Sequence, residues 1–325
     1  MHQSDLPLAD ARALIARGID KAEELSARGA LVVIGVHGGL ISGSRMDHGG
    51  AGGFARARSK AWIAATQQIP SVVHLGRLGM IAPAMASGFS VISPQAVFPG
   101  AGGMPIRREG NVVAGIAASG AGIGPFVNYP GVEPDQLIAD GQPANAEDLI
   151  VHYALDIPYA GQHGDDYARW IEAFGAWPTD PGSGTGMASA PPAAWQEELH
   201  WAMAIVDRAL GDARARDIPI AAAVVDRGGD PIQIDSLDGA PSAAAIVAEA
   251  TGAAAATFQV RSGELADRYP GALFDQVAAT LPYAVLAVDG GLPLQRGADV
   301  VGGLGIGGAD PGVCAEIAAA ALSES

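Results

Sequence analysis

The sequence predicts an α+β fold that consists of two copies of one domain. The segment Gly-Gly-Met-Pro-Ile at 102–106 recurs as Gly-Gly-Leu-Pro-Leu at 290–294, which is 188 residues later. Gly120 and Gly308 are separated by the same distance. Several matches in the same order and at nearly constant spacing indicate a tandem repeat.

Both copies have the same predicted order of elements. Each opens with an amphipathic helix, in which apolar residues recur at helical spacing over 14–25 and 195–210. Two apolar runs interrupted by a glycine pair then predict a β-hairpin, and an alanine-rich helix and further strands follow. The predicted hairpins span 31–46 and 218–237, the second helices 54–66 and 242–258, and the last strands 112–118 and 300–306. Because strands and helices do not alternate as in βαβ units, we expect a mainly antiparallel sheet with packed helices.

These boundaries predict a first domain over 1–128, a linker over 129–192 and a second domain over 193–325. The Gly-Gly-x-Pro motif is expected to turn the chain between two strands. The linker contains a helical pattern at 146–154. Its apolar, aromatic part at 133–177 predicts a segment that packs across the domains and covers a site.

Composition limits the classes of function. Of the 325 residues, 49% are hydrophobic and 17% are charged, which is typical of folded domains. A net charge of −16 argues against nucleic acid as a partner, because phosphates would be repelled. No apolar run is long enough to span a membrane, and the N-terminus shows no signal pattern, so we expect a cytoplasmic protein. The single cysteine, Cys314, is predicted to be buried.

Several short motifs carry a resemblance to a known family. They are Arg45-Met46-Asp47, Lys60-Ala61 and Ser119-Gly120-Ala121 in the first copy, and Val224-Val225-Asp226, Asp238-Gly239-Ala240-Pro241 and Gly307-Gly308-Ala309 in the second. With the Gly-Gly-x-Pro motif, they make the chain resemble the GlcG/HbpS-like family. That family is also called the haem-degrading domain family and includes the C-terminal domain of PduO-type proteins.

The resemblance implies two profilin-like or PAS-like domains arranged as a pseudo-dimer, in a protein that forms homo-oligomers. Some members of the family bind haem or other tetrapyrroles, so haem is the one cofactor that the resemblance suggests. His37, His48 and His74 are the alternatives for an axial ligand. No pair of histidines or cysteines has zinc-type spacing, and no metal site is predicted.

The two copies differ at two positions that belong to the motifs shared with the family. In our alignment His37 replaces Asp226, and Lys60 is replaced by Thr251. A complementary loss of this kind favours one composite site formed by both copies. Independent drift of two structural domains explains it equally well.

Seven residues form the predicted site. The predicted catalytic residues are His37, Asp47, His48 and Lys60, and the predicted substrate-binding residues are Arg45, Gly102 and Gly103. A histidine beside a carboxylate and a lysine can transfer protons, and cationic side chains or backbone amides can hold an oxyanion. In the alternative interpretation, Asp47 caps a turn, Lys60 forms a surface ion pair and the glycines only shape a turn.

Two functions follow from the sequence. The first is a small-ligand-binding protein of the GlcG/HbpS type, with haem or another tetrapyrrole as a candidate ligand, in a catabolic context. The second is a cofactor-independent isomerase, hydratase or lyase that acts on a small carbonyl or carboxylic acid compound. The sequence places binding first and leaves open whether the protein is an enzyme.

Overall fold

The protein is represented by a computed structural model. It describes residues 6–74, 96–121, 138–139, 142–143, 145–159, 196–270 and 272–323. The chain forms two compact units, one drawn from 1–38 and 46–195, the other from 39–45 and 196–325.

The first unit is a small antiparallel sheet with three helices. Its elements are α1 (Leu8–Glu24), β1 (Ala30–Gly35), α2 (Gly53–Thr66), β3 (Gly103–Arg108), β4 (Asn111–Ser119) and α3 (Ala146–Leu155), with a short pair β5 (Ile138–Ala139) and β6 (Gln142–Pro143). The strand order is β3-β4-β1. Helix α2 packs on all three strands, where Phe54 and Ile63 are completely buried, and α3 packs on α1.

The second unit has the same plan, with five strands in its sheet where the first unit has three. Its elements are β2 (Leu40–Arg45), α4 (Glu197–Ala215), β7 (Ala221–Asp226), β8 (Pro231–Ser236), α5 (Ala244–Phe258), a 3-10 turn (Ser262–Glu264), α6 (Leu265–Arg268), α7 (Leu273–Ala278), β9 (Gly291–Arg296), β10 (Asp299–Gly307) and α8 (Pro311–Ser323). The strand order is β2-β8-β7-β10-β9, and all pairs are antiparallel. Cys314 is buried here, as predicted.

Strand β2 belongs to the first repeat in sequence but to the second unit in space. A chain of buried hydrogen bonds attaches it to β8. Ser42 Oγ donates to Asp235 Oδ1 at 2.6 Å, Gln233 Nε2 donates to Asp235 Oδ2 at 2.7 Å, and Ser44 Oγ donates to Gln233 Oε1 at 2.6 Å. Because each buried polar group needs a partner, this chain fixes the register of β2 against β8.

The glycine-rich last strands allow a helix to approach the sheet closely. A Cβ atom on Gly115 would lie 2.5 Å from the backbone nitrogen of Ala65 in α2, and one on Gly303 would lie 3.0 Å from that of Ala256 in α5. The glycines therefore serve packing, as glycine in a strand often does where another backbone comes close. The predicted strand at 300–306 is confirmed.

The expected role of the Gly-Gly-x-Pro motif was wrong. The motif begins strands β3 and β9, and the chain turns later, at Glu109 and Gly110, which have φ values of +52° and +79°. Pro105 lies opposite Gly115 in β3, which is the last strand in the order. An edge strand tolerates proline because one side of its backbone needs no partner strand.

The helix predicted in the linker is α3, which runs one residue further than predicted. It packs on α1 in the first unit as α8 packs on α4 in the second, so it is the third helix of the repeat. Most of the segment 133–177, which we expected to cover a site, lies outside the described residues. No helix in the described part of the chain is long and apolar enough to cross a membrane.

Candidate functional site

A buried lysine is the centre of the candidate site. Lys60 lies on α2, and its side chain is 2% exposed. Its Nζ donates to Glu147 Oε2 at 2.5 Å, to Ser119 Oγ at 3.1 Å and to the carbonyl oxygen of Ala118 at 3.4 Å. Lysine is almost never fully buried unless its charge is paired, and Glu147 supplies the pair.

The Glu147 carboxylate is held from two sides. Asn145 caps α3 by accepting from the backbone nitrogens of Glu147 and Asp148, which places Glu147 in the first turn. While Oε2 contacts Lys60, Oε1 accepts from the backbone nitrogens of Gly120 at 2.7 Å and Ala121 at 3.3 Å. The side chain is 17% exposed, so solvent reaches it.

The Gly102-Gly103 pair at the start of β3 is joined to the same helix. The backbone nitrogen of Gly102 donates to Asp148 Oδ1 at 2.5 Å. Gly102 has a φ of +94°, and a Cβ there would lie 2.7 Å from both the Ala118 carbonyl oxygen and Glu147 Cβ. A Cβ on Gly103 would lie 2.9 Å from the backbone oxygen of Lys60. Both glycines therefore border the ion pair, and close packing requires them.

An aromatic side chain lies over the lysine. The ring centre of Phe98 is 5.7 Å from Lys60 Nζ, a cation–π distance. The backbone of Phe98 is held by Ser59, whose Oγ accepts from the Phe98 nitrogen and donates to the carbonyl of Ala96, both at 2.7 Å. Phe98 is 48% exposed, which is unusual for phenylalanine.

A small cleft shares residues with this cluster. It is lined mostly by apolar residues, among them Ala22 in α1, Leu31 in β1 and Ile150 in α3, and also by Arg28 and Ser119. Its volume is about 180 Å³ when all the space open to solvent is counted, and the enclosed part holds about one water molecule. Neither a tetrapyrrole nor a small organic acid therefore fits inside the cleft as it stands.

The structure brings only part of the predicted site together. Gly103 adjoins the backbone of Lys60, and Gly102 adjoins Glu147, the ion-pair partner of Lys60. His37 is exposed in the turn after β1. Exposed His48, with a φ of +60°, and buried Asp47 lie in the loop after β2. Within the described residues, Lys60 hydrogen-bonds to none of these three.

Arg45, predicted to orient a substrate, is engaged within the second unit. Its NH2 group contacts Asp226 Oδ2 at 2.5 Å, and its Nε donates to the carbonyl of Pro231 at 2.9 Å. Asp226 Oδ1 accepts from the backbone nitrogens of Gly228 at 2.8 Å and Asp230 at 3.1 Å. These charge-assisted contacts stabilise the β7–β8 turn.

The strand register corrects one part of our alignment. Gly35 lies opposite Ala114 in the first unit, and Asp226 lies opposite Gly302 in the second. Ala114 and Gly302 are separated by the repeat distance, so Gly35 is the equivalent of Asp226, and His37 is not. The alignment of His37 with Asp226 is therefore shifted by two residues. The inference of complementary loss at this position therefore fails.

The equivalence of Lys60 and Thr251 is supported by their surroundings. A Cβ on Gly103 would meet the backbone oxygen of Lys60, and one on Gly291 would meet that of Thr251. Thr251 is completely buried, and its hydroxyl donates to the Val247 carbonyl of its own helix at 2.9 Å. The second unit thus has a neutral side chain where the first has a buried ammonium.

Cys314 takes the place of Glu147 in the second unit. A Cβ on Gly102 would meet Glu147 Cβ, and one on Gly290 would lie 3.1 Å from Cys314 Cβ. Burial raises the pKa of the Cys314 thiol, which keeps it protonated and neutral. Both members of the ion pair are therefore replaced by neutral groups in the second unit.

Sequence reasoning missed Glu147 because α3 was assigned to the linker. Asn145 followed by Glu147 and Asp148 is an N-cap with an acidic first turn, and this signal was available.

Comparisons with known proteins give the following result. No curated protein sequence matches the chain. The chain is similar to the crystal structure of a double mutant of HbpS from Streptomyces reticuli, with 25% identity over 42% of this chain and 98% of that one and a TM-score of 0.35. It is also similar to a PduOC–heme complex, with 23% identity over 39% and 92% of the two chains and a TM-score of 0.36. The Klebsiella pneumoniae protein ORFY matches with 22% identity over 38% and 87% of the chains, at a TM-score of 0.36.

A family model gives the assignment. The model described as "Haem degrading protein HbpS-like" matches residues 6–123 and again residues 198–323. These two matches cover most of the chain and coincide with its two copies. The chain therefore belongs to the HbpS-like family, as a tandem member with two HbpS-like repeats.

Proposed function

We propose that the chain is a small-ligand-binding protein with a single binding site, next to Lys60 in the first unit. The ligand is a small molecule that carries a carboxylate group. The predicted small-molecule ligand is retained, and the predicted site is narrowed to Lys60 with Gly102 and Gly103 beside it. Glu147 and Ser119 are added to it.

The observation that carries this proposal is the buried Lys60–Glu147 pair. A buried ion pair loses hydration when the chain folds, and neutral groups of similar size often serve stability as well. The second unit has the same fold with Thr251 and Cys314 in these positions. Because the fold does not require the charges, their presence in the first unit points to binding.

Family membership supports the ligand-binding reading and makes haem the first ligand to test. Haem carries carboxylates on its propionates, which an ammonium group can bind. The cleft is too small for the whole group, so we derive no haem geometry. Haem binding by this chain, its catabolic context and its cytoplasmic location stay predictions.

The test is a titration of the purified protein with haemin, followed by absorption, and with small mono- and dicarboxylates, followed by calorimetry. We expect saturation at one carboxylate ligand per chain, and at least a tenfold weaker affinity in Lys60→Met. Thr251→Val is the matched control at the equivalent position and should bind like the wild type. Saturable binding that Lys60→Met leaves unchanged would contradict the proposed site.

A second candidate is a proton-transfer enzyme, the alternative from the sequence. It is favoured by the contact of 2.5 Å between a lysine and a glutamate that are both largely shielded from water. Such a pair can take a proton from a substrate and return one. Exchange of substrate C–H for deuterium in D₂O, seen by NMR and absent in Lys60→Met, would identify it.

A further inference from the structure

We infer that the Glu147 carboxylate occupies the ligand's own binding position and that a ligand binds by displacing it. This inference rests on the proposed function and names the class of ligand: compounds with a free, planar carboxylate. Glu147 is then an internal competitor that sets the affinity of the site.

The groups around Glu147 form a carboxylate-binding cradle. One oxygen is held by the ammonium of Lys60, and the other by the backbone nitrogens of Gly120 and Ala121. Charge-assisted hydrogen bonds of this kind match the two oxygens of any carboxylate. Gly120 has a φ of +94°, so the direction of its N–H group depends on a conformation that glycine adopts easily.

The occupant can be exchanged, whereas the cradle is fixed. Lys60 lies inside α2, and Gly120 and Ala121 directly follow β4, so the scaffold positions all three. Glu147 reaches the cradle from the first turn of α3 and is 17% exposed against 2% for Lys60. The adjoining cleft, which holds about one water molecule, is lined by Ser119 and Ala121 and therefore borders the cradle.

The experiment replaces the internal carboxylate by an external one. In Glu147→Ala the cradle is empty, and sodium acetate should refill it. At a concentration about tenfold above its Kd, acetate should raise the Tm by roughly 3 °C relative to sodium chloride of equal ionic strength. The backbone amide signals of Gly120 and Ala121 should shift with the same saturation curve.

Glu147→Gln keeps the shape of the side chain and covers the case in which the alanine variant fails to fold. Without the competing charge, acetate should bind this variant at least ten times more tightly than it binds the wild type. The added variant Lys60→Met should abolish the response in either background.

Glu24→Ala is the matched control. Lys21 is also buried, and its Nζ contacts Glu24 Oε1 at 2.8 Å. Glu24 is 45% exposed, however, and within the described part of the chain its side chain accepts from no backbone amide. Acetate should not stabilise this variant. An equal response in Glu24→Ala, or one that survives Lys60→Met, would overturn the inference. Acetate binding to the Glu147 variants without any carboxylate binding to the wild type would support the cradle and contradict the proposed function.

Discussion

The two units have the same fold, but only the first contains a charged pair at the start of its third helix. The first unit has Lys60 against Glu147, and the second has Thr251 and Cys314 in the equivalent places. The surrounding backbone is alike, since Gly120 and Gly308 have φ values of +94° and +111° in the two copies. The second unit thus shows that the repeat folds without these charges, which is why we propose a role in binding for the charges of the first unit.

The largest expected effect comes from removing one charge. Lys60→Met leaves the Glu147 carboxylate in a mostly buried position without its ammonium partner. We expect a loss of about 3 kcal/mol in the free energy of unfolding, measured by urea denaturation. Thr251→Val removes only hydrogen bonds of a hydroxyl to its own helix and should cost about 1 kcal/mol or less. Equal losses would remove the distinction between the units.

The glycines of the two motifs should behave alike. Gly102→Ala and Gly290→Ala each place a Cβ 2.7 Å from a carbonyl oxygen, at φ values of +94° and +126°. We expect each to lower the free energy of unfolding by about 2 kcal/mol, because strain of this kind typically costs about 1–3 kcal/mol. The same urea experiment measures both. A small effect for Gly102 alone, with loss of ligand binding, would favour the role in substrate binding predicted from the sequence.

A pH effect should be specific to the first unit. His152 in α3 is buried, with Nδ1 2.6 Å from the Asp148 carbonyl and its ring 5.2 Å from that of Tyr159. Burial lowers the pKa of His152 below 6.5, although Asp148 acts in the opposite direction. The unfolded chain therefore takes up a proton more readily, and stability is complete above pH 6.5 and declines below it.

We expect a decrease of about 1 kcal/mol between pH 7.5 and 5.5 from this residue. His152→Gln should reduce the slope of the free energy of unfolding against pH by the amount that corresponds to at most one proton. In α8 the equivalent position is the exposed Ala319, so this position gives the second unit no pH-dependent contribution to the free energy of unfolding. An unchanged slope in His152→Gln would show that other groups cause the acid sensitivity.

The smallest effect on stability is expected when both charged residues of the pair are replaced by neutral ones at once. Lys60→Thr combined with Glu147→Cys gives the first unit the side chains of the second. We expect the free energy of unfolding to lie within about 1 kcal/mol of the wild type, since neutral replacements of a buried pair are often tolerated. Ligand binding should nevertheless be lost. A double variant as unstable as Lys60→Met would show that the first unit depends on its charges.

The sequence was sufficient for most of the fold because periodicity and glycine spacing are local signals. The helices α2 and α5 and the strands β4 and β10 lie within two residues of their predicted bounds. The site was harder to predict from the sequence, because tertiary packing brings Lys60 and Glu147 together and no local pattern encodes that packing. His37 was predicted as a site residue partly because an alignment shifted by two residues matched it with Asp226.

The pseudo-dimer and the homo-oligomer implied by the family stay predictions. The mass in solution, measured by light scattering, is the direct check on oligomer formation.

The position of β2 shows that the sequence repeats and the folded units have different boundaries. The first HbpS-like match, 6–123, includes 39–45, yet these seven residues belong to the second unit and complete its sheet. A fragment cut between the repeats would take β2 away and leave one edge of β8 without its partner. Exposed edges of this kind favour aggregation. The two copies can therefore differ in their side chains, as they do at Lys60 and Thr251, while the sheet of the second unit depends on a strand from the first copy.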